Sequence, residues 1–436
     1  MRIVDLLRAQ TVGRLFVVLK NWRVRAARVG AGLYELSASG NRVIPMEGLR
    51  GLAVLLVFFV HFHALFGEYI RAQRLLWESS RFLGLIGNTG VDLFFVLSGY
   101  LIYGALLKSK TAVLPFLRRR VQRIYPTFLA VFGVYIALSL NFPSLGRLHN
   151  RSTGNLVCYL AANLLLLPGA FDIKPIITVA WSLSYEVVFY ISATLGIRAA
   201  GMERWTARQR LGLFSTIALI YLFYCFMLPK SHVRSLMFIV GVLLYDALGS
   251  PAFRRLLTKR GEMLAIIMFC GSLAVSYLLD INSGLLSLLP RSSSGRSVIP
   301  GAPGYYGPYK TLLLAISIFW FTAHCFAFPG RLNRLFSWNP LRYLGNMSYS
   351  YYLIHGVTLQ GIALLWALAA GHQAGTWLFL LALAIGFPAT WIISTALFLS
   401  VERPLSLQRV GAQHASNSRV GVLAVAAPAE AQGEQS

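Results

Sequence analysis

The stretch IPMEGLRGLAVLLVFFVHFHALF, residues 44 to 66, decides how this chain folds. It is typical of a membrane helix, since about 20 apolar residues cross a hydrocarbon core of ~30 Å. Two ionisable side chains, Arg50 and His61, interrupt it. A rise of ~1.5 Å per residue places His61 roughly 16 Å from Arg50 along the axis, on the same helical face. Ionisable groups persist in hydrocarbon when they are paired, hydrated or functional, so His61 is a candidate functional residue.

The composition excludes an ordinary soluble protein. Hydrophobic residues make up 56% of the chain and charged residues 13%, whereas soluble domains average about 25% charged residues. Apolar stretches recur along the whole chain, separated by short polar segments. The sequence therefore predicts a polytopic membrane protein built from helices.

The positions of basic residues set the number of spans. If all eleven apolar stretches crossed, the basic segments 116–123 and 253–260 would lie on opposite sides of the membrane, against the positive-inside rule. The stretch 155–170 is short, contains two asparagines and ends in Pro-Gly, so we expect a re-entrant or interfacial segment there. The predicted fold is an all-α transmembrane helix bundle of about ten spans with both termini in the cytoplasm.

The net charge of +25 follows from this topology. Basic inner loops hold the orientation and meet anionic lipid head groups, so membrane lipid is the expected partner and nucleic acid is not. Residues 1–43 are predicted to form a basic amphipathic extension on the inner surface, 44–403 the membrane domain, and 404–436 a disordered cytoplasmic tail. The four cysteines are scattered without a CxxC pair, and no metal site is expected.

Polar side chains form stripes in three further spans. They are Asn88 and Asp92 in 87–104, Ser182, Tyr185 and Glu186 in 181–190, and Ser348, Tyr352 and His355 in 345–356. The first two stripes place carboxylates inside apolar helices, which marks Asp92 and Glu186 as candidate catalytic residues. The alternative for Asp92 is that it neutralises an arginine. The third stripe is predicted to hydrogen-bond between helices.

A run of arginines lies where a span meets the inner surface. Arg118 and Arg119 are typical of residues that anchor topology, while Arg120 and Arg123 are one helical turn apart. Guanidinium groups match phosphate oxygens in geometry and charge. Arg120 and Arg123 are therefore predicted to bind a phosphorylated donor.

With these motifs the chain resembles the acyltransferase 3 family of integral-membrane acyltransferases, whose members modify sugars of surface polysaccharides, lipid-linked glycans and some small metabolites. The matching motifs, in order, are GLRGLAVLLVFFVHF, GVDLFFVLSGYLI, FLRRRVQRIYP, WSLSYEVVFY and LGNMSYSYYLIH, within residues 44–403. The resemblance implies an acyl-CoA donor, commonly acetyl-CoA, with no tightly bound cofactor. It also implies a sugar, polysaccharide or glycolipid acceptor and a place in the bacterial inner membrane.

The resemblance also assigns roles to particular residues. His61 matches the first-span histidine needed for transfer, and Arg50 matches the arginine paired with it by spacing. Arg120 and Arg123 match the arginines of the basic loop, and Glu186 matches the glutamate of the WSLSxE-type motif. It thus implies catalysis by His61 and binding of the donor by the arginines.

The chemistry leaves two routes open. Histidine, with an ordinary pKa of about 6.5, accepts a proton near neutral pH, so His61 is either a general base or a covalent acyl carrier. Asp92 or Glu186 would orient its ring or stabilise an imidazolium. A different class of protein, a secondary transporter or flippase for a lipid-linked sugar or small anion, would use the same buried charges as a path. The two matching halves typical of transporters are not seen in the sequence, which favours the enzyme.

Overall fold

Helices dominate the structure, as the sequence predicts. A computed structural model describes residues 28–35, 43–108, 113–142, 148, 152–227, 232–281, 307–370 and 375–408. In that part of the chain there is no β-strand, and a single isolated bridge joins Pro168 to Phe171. The predicted all-α fold class is confirmed.

The helices are named here in chain order. They are α1 (28–34), α2 (Ile44–Phe66), α3 (Arg74–Gly87), α4 (Thr89–Lys108), α5 (Val113–Asn141), α6 (Thr153–Leu164), α7 (Trp181–Ala199), α8 (Ala207–Met227), α9 (Leu236–Gly249), α10 (Pro251–Arg255), α11 (Lys259–Ile281), α12 (Gly307–Ala327), α13 (Arg331–Phe336), α14 (Asn339–Asn346), α15 (Ser348–Ala370) and α16 (Thr376–Leu397). A π-helical segment, Phe398–Gln408, continues from α16.

Eight helical segments in the described residues are long and apolar enough to cross a membrane. They are α2, α3 with α4, α5, α8, α11, α12, α15, and α16 with the π-helical segment. The protein is therefore an integral-membrane helix bundle. Two further predicted spans correspond to α7, with 19 residues, and α9, with 14. The count of about ten spans and the cytoplasmic termini stay predictions.

The segment suspected of not crossing is a short helix. α6 has 12 residues, which at 1.5 Å per residue extend about 18 Å and do not reach across a core of ~30 Å. The chain then turns through Leu166 and Gly169, both with positive φ, before α7 begins. This geometry agrees with the predicted re-entrant or interfacial segment.

Glycines bring α2 into backbone contact with its neighbours. A Cβ atom at Gly51 would lie 2.1 Å from the Leu341 carbonyl oxygen of α14, and one at Gly345 would lie 1.7 Å from the Glu47 carbonyl oxygen. On α4, a Cβ at Gly90 would lie 2.4 Å from the Ala53 carbonyl oxygen of α2. Because small residues let membrane helices approach closely, α2 packs tightly against α14 and α4.

A second close crossing joins α4 to α9. A Cβ at Gly99 would lie 2.2 Å from the Phe238 carbonyl oxygen, and one at Gly241 would lie 2.1 Å from the Val96 carbonyl oxygen. The Phe95 and Phe238 rings stack with centroids 4.4 Å apart. The short helix α9 is thus an internal element of the bundle.

The described ends of the chain pack on the bundle. The Tyr34 hydroxyl of α1 lies 2.9 Å from Thr395 Oγ1, and its ring stacks on Tyr343 with centroids 5.3 Å apart. The structure describes residues 28–35 and 43 of the predicted extension 1–43, and the other residues of that extension lie outside the described part of the chain. At the other end, 404–408 belong to the π-helical segment, and the remainder of the predicted tail also lies outside the described residues.

Candidate active site

A cavity lies among helices α2, α4, α5, α7 and α15. Its volume is about 150 Å³. The polar side chains that line it include Arg50, Arg120, Arg123, Glu186, Tyr190 and Tyr352. Four of the six predicted site residues, the three arginines and Glu186, are therefore brought together by helices that are distant in the sequence.

Glu186 is held in the cavity wall by two hydroxyl groups. Ser98 Oγ of α4 donates to one carboxylate oxygen at 3.0 Å, and the Tyr190 hydroxyl, one turn further along α7, donates to the other at 2.7 Å. Arg50 and Arg120 lie within electrostatic range of the same carboxylate. Glu186 thus offsets part of the positive charge of the arginines.

The two arginines on α5 have different partners. Arg123 forms an ion pair with Glu402 of the π-helical segment, with 2.7 Å between Nη1 and Oε1. Arg120 lies 5.1 Å from the centroid of the Phe116 ring, and its Nε has no hydrogen-bond partner among the described residues. The two arginines therefore differ in that Arg123 has a carboxylate partner, while Arg120 forms no ion pair among the described residues.

Glu402 was not predicted from the sequence. It is fully buried, and its Oε2 accepts hydrogen bonds from the backbone N–H of Ser350 at 3.0 Å and from Ser350 Oγ at 2.5 Å. An acidic residue at the end of the last apolar stretch was the available signal. The pattern of the sequence does not show that this residue is buried, and the ion pair with Arg123 joins positions that are far apart in the chain.

His61 lies beside a second histidine. Nδ1 of His61 is 3.1 Å from the Val57 carbonyl oxygen and 3.2 Å from Nε2 of His355, which lies on α15. The two rings meet edge to face, with centroids 4.8 Å apart and an interplanar angle of 82°. Nδ1 of His355 in turn lies 3.0 Å from the Tyr351 carbonyl oxygen. His61 Nε2 has no hydrogen-bond partner within the described part of the chain.

The partner of His61 differs from the predicted one. The sequence placed Asp92 or Glu186 beside the imidazole, whereas the structure places His355 there. Asp92 instead faces Arg234, with 3.7 Å between Oδ1 and Nε. Glu186 is bonded to Ser98 and Tyr190, so neither carboxylate contacts His61 among the described residues.

Tyr352 connects the cavity with the histidine pair. Its side chain lines the cavity, and its ring centroid lies 6.1 Å from that of His355, while His61 itself is not part of the cavity lining. The Tyr352 hydroxyl donates to the Val179 carbonyl oxygen at 2.9 Å and shares a hydrogen bond with Ser182 Oγ at 2.8 Å. Tyr352 of the third polar stripe therefore hydrogen-bonds to another helix, as predicted. His355 of the same stripe contacts His61.

Three of the proteins that are similar to parts of this chain are named here with their organisms. Acyltransferase MdmB of Streptomyces mycarofaciens is 31% identical over 163 residues, which are 36% of this chain and 40% of that protein. Exopolysaccharide production protein ExoZ of Rhizobium meliloti is 31% identical over 109 residues, 24% of this chain and 32% of that protein. O-acetyltransferase OatA of Staphylococcus aureus is 29% identical over 193 residues, 42% of this chain and 29% of that protein. The alignments thus span less than half of each of these three relatives, and no solved structure gives a significant match.

The family resemblance covers the membrane bundle. The sequence profile of the acyltransferase domain named acyltransferase 3 matches residues 44–397. This range begins at α2 and ends with α16, so it contains every predicted site residue. The resemblance is confirmed, and the chain belongs to the acyltransferase 3 family of integral-membrane acyltransferases.

Proposed function

We propose that this protein transfers an acyl group, most favourably acetyl, from acyl-CoA to a hydroxyl group of a glycan or glycolipid at the bacterial inner membrane. Family membership supports the reaction class. The names of the similar proteins OatA and ExoZ support an acetyl group and a polysaccharide acceptor. The observation that carries the proposal is His61, whose Nε2 is unbonded in the described structure, on the same helix as a cavity-lining arginine.

The arginines are proposed to bind the donor. Phosphate groups of coenzyme A form charge-assisted hydrogen bonds with guanidinium groups. Arg120 and Arg123 place two guanidinium groups one helical turn apart. Arg50 adds a third positive charge to the same cavity. Arg120 and Arg123 lie near the start of α5, close to the predicted cytoplasmic side, where acyl-CoA is available.

His61 Nε2 is proposed as the reacting atom. In the general-base route, it takes the proton of the acceptor hydroxyl while the oxygen attacks the thioester carbonyl carbon. A C–O bond forms, the C–S bond breaks, and the proton passes from His61 to the coenzyme A thiolate. Proton transfer by a positioned base typically contributes ~10²- to 10⁴-fold to a rate.

An acyl-carrier route uses the same lone pair. Nε2 itself attacks the carbonyl carbon, so a C–N bond forms as the C–S bond breaks and the thiolate leaves. The acceptor hydroxyl then attacks the acyl-imidazolium, the C–N bond breaks, and the hydroxyl proton neutralises the thiolate. Both routes require the proton of neutral His61 to reside on Nδ1.

The proposal is tested with purified protein in vesicles that contain bacterial lipid and glycan extract. Addition of radiolabelled acetyl-CoA is expected to release free coenzyme A thiol and to label the extract. His61→Gln should lower this rate by about 10²-fold or more, because the reacting lone pair is lost. His63→Gln is the matched control, since His63 lies on the same helix but its Nδ1 is 2.9 Å from Ser80 Oγ of α3. Equal rates for wild type and His61→Gln, or glycan transport without any thioester cleavage, would contradict the proposal.

A further inference from the structure

Two backbone carbonyl groups fix the protons of the histidine pair. Nδ1 of His61 lies 3.1 Å from the Val57 carbonyl oxygen, and Nδ1 of His355 lies 3.0 Å from the Tyr351 carbonyl oxygen. A carbonyl oxygen only accepts hydrogen bonds, so each Nδ1 carries a hydrogen. In a neutral pair each Nε2 then carries a lone pair.

The hydrogen bond between the two rings therefore has a defined donor and acceptor. The Nδ1–H of His61 donates to Nε2 of His355 at 3.2 Å and shares its hydrogen with the Val57 carbonyl oxygen. The remaining nitrogen of His61, Nε2, is left as the acceptor. His355 is fully buried, so its own ring is held between Tyr351 and His61 without competition from water.

We propose that His355 is a positioning residue that keeps His61 in the Nδ1–H tautomer and accepts the hydrogen bond of the His61 imidazolium. This inference rests on the proposed function, because it assigns the support of the reacting histidine. In a Ser–His–Asp triad a carboxylate bonded to Nδ1–H has this role, and neither Asp92 nor Glu186 occupies that position here. When His61 gains a proton at Nε2, its Nδ1–H···Nε2 bond to His355 becomes charge-assisted and strengthens.

His324 provides a matched comparison within the same protein. It is buried on α12 with 1% of its surface exposed, and its Nδ1 lies 2.9 Å from the carbonyl oxygen of Trp320, four residues earlier. His324 therefore makes the same bond within its helix as His355. Its Nε2, however, has no hydrogen-bond partner in the described chain, and no second histidine contacts it there.

The test compares glutamine and phenylalanine at both positions, by the rate of coenzyme A release from acetyl-CoA. Glutamine places its amide oxygen near the position of histidine Nε2 and still accepts a hydrogen bond, while phenylalanine fills the space without an acceptor. We expect His355→Gln to retain kcat within about 10-fold, and His355→Phe to lose about 10²-fold or more. In both His355 variants the KM for acetyl-CoA should change by less than about 3-fold, because the arginines bind the donor. In both His324 variants kcat should stay within about 3-fold of wild type.

Two results would overturn the inference in folded protein, as judged by a cooperative thermal transition. One is a kcat for His355→Phe within about threefold of wild type, and the other is an equal loss in the glutamine and phenylalanine variants. If His355→Phe does not fold, ¹⁵N NMR of histidine-labelled wild type decides instead. An Nδ1–H signal for His61 supports the pair, and an Nε2–H signal contradicts it.

The same experiments separate this inference from the proposed function. If wild type cleaves no thioester in a manner that depends on His61, the proposed function fails, and the NMR tautomer still reports on the pair. If wild type is active, His61→Gln is inactive and His355→Phe is unaffected, the proposed function stands and the role of His355 falls.

Discussion

The two arginines on α5 differ in how much of their charge the protein already uses. Arg123 is paired with buried Glu402, whereas Arg120 forms no ion pair among the described residues. A hydrogen bond to a charged group contributes about 1.5–3 kcal/mol. We therefore expect Arg120→Ala to raise the KM for acetyl-CoA by about tenfold or more, with a smaller effect on kcat, measured as initial rates of coenzyme A release.

Arg118→Ala is the control for that prediction. Arg118 lies on the same helix, but its side chain is exposed. The substitution therefore removes one positive charge from the start of α5 without changing the cavity. Its KM should stay within about twofold of wild type. An equal increase in both variants would show that the loop attracts the donor by its total charge, and the assignment of Arg120 would be abandoned.

Individual site residues could be predicted where an ionisable group interrupts an apolar span. Arg50 and Glu186 were found in this way, the arginines of α5 were found from their spacing at the inner end of a span, and the structure gathers all of them around one cavity. The partners could not be predicted. His61 and His355 are 294 residues apart, and Asp92, one of two candidate partners of His61, faces Arg234, as in the alternative that it neutralises an arginine. Such pairings depend on how helices are rotated and packed, which hydropathy along one chain does not contain.

At the scale of elements, the crossing of α4 and α9 predicts an unusual effect of alanine. Alanine favours a helix over glycine by about 1 kcal/mol. At Gly241, however, the added Cβ would lie 2.1 Å from the Val96 carbonyl oxygen and would force the two helices apart. We expect Gly241→Ala to lower the temperature of thermal unfolding by several degrees, since overpacking costs about 1–3 kcal/mol.

Gly271→Ala is the matched control on α11. A Cβ there meets no atom within 4 Å, so only the gain in helix propensity remains and the transition should stay or rise slightly. A melting temperature for Gly241→Ala equal to or above that of Gly271→Ala would contradict the close crossing. The purified proteins can be compared in detergent by tryptophan fluorescence.

Helix lengths were more predictable than helix contacts. A bilayer requires a minimum apolar length, so long apolar stretches such as α2 and α11 are visible in the sequence. The stretch 155–170 was predicted not to cross, from its short length, its asparagines and its Pro-Gly end, and the helix α6 found there has 12 residues. The 14 residues of α9 were predicted as a span of 234–249, and its glycine-mediated contact with α4 was not foreseen.

At the scale of the whole molecule, α7 decides whether the bundle has the predicted topology. It is a predicted span but is not among the eight helices long and apolar enough to cross. Asp172 before it and Arg204 after it are both exposed. If α7 crosses, Asp172→Cys should react with a membrane-impermeant maleimide on spheroplasts, and Arg204→Cys only after permeabilisation, in a background with the native cysteines replaced by serine.

Other labelling patterns have definite meanings. Reaction of both introduced cysteines on intact spheroplasts would show that α7 does not cross, and the reverse pattern would show an inverted bundle. The predicted orientation depends on where most of the 40 Lys and Arg residues lie. Charge therefore predicts sidedness for the molecule as a whole, while it says little about any single helix.

The glycine contacts of α2 have a consequence for how substrates are received. Backbone atoms of α2 touch α14 on one side and α4 on the other, which leaves the helix little room to slide or tilt. Close packing of this kind resists deformation. His61 is then attached to a rigid helix. Little conformational entropy of that helix is lost when the thioester binds beside it. Adjustment to acceptors of different size falls to the mobile substrates and the cavity side chains.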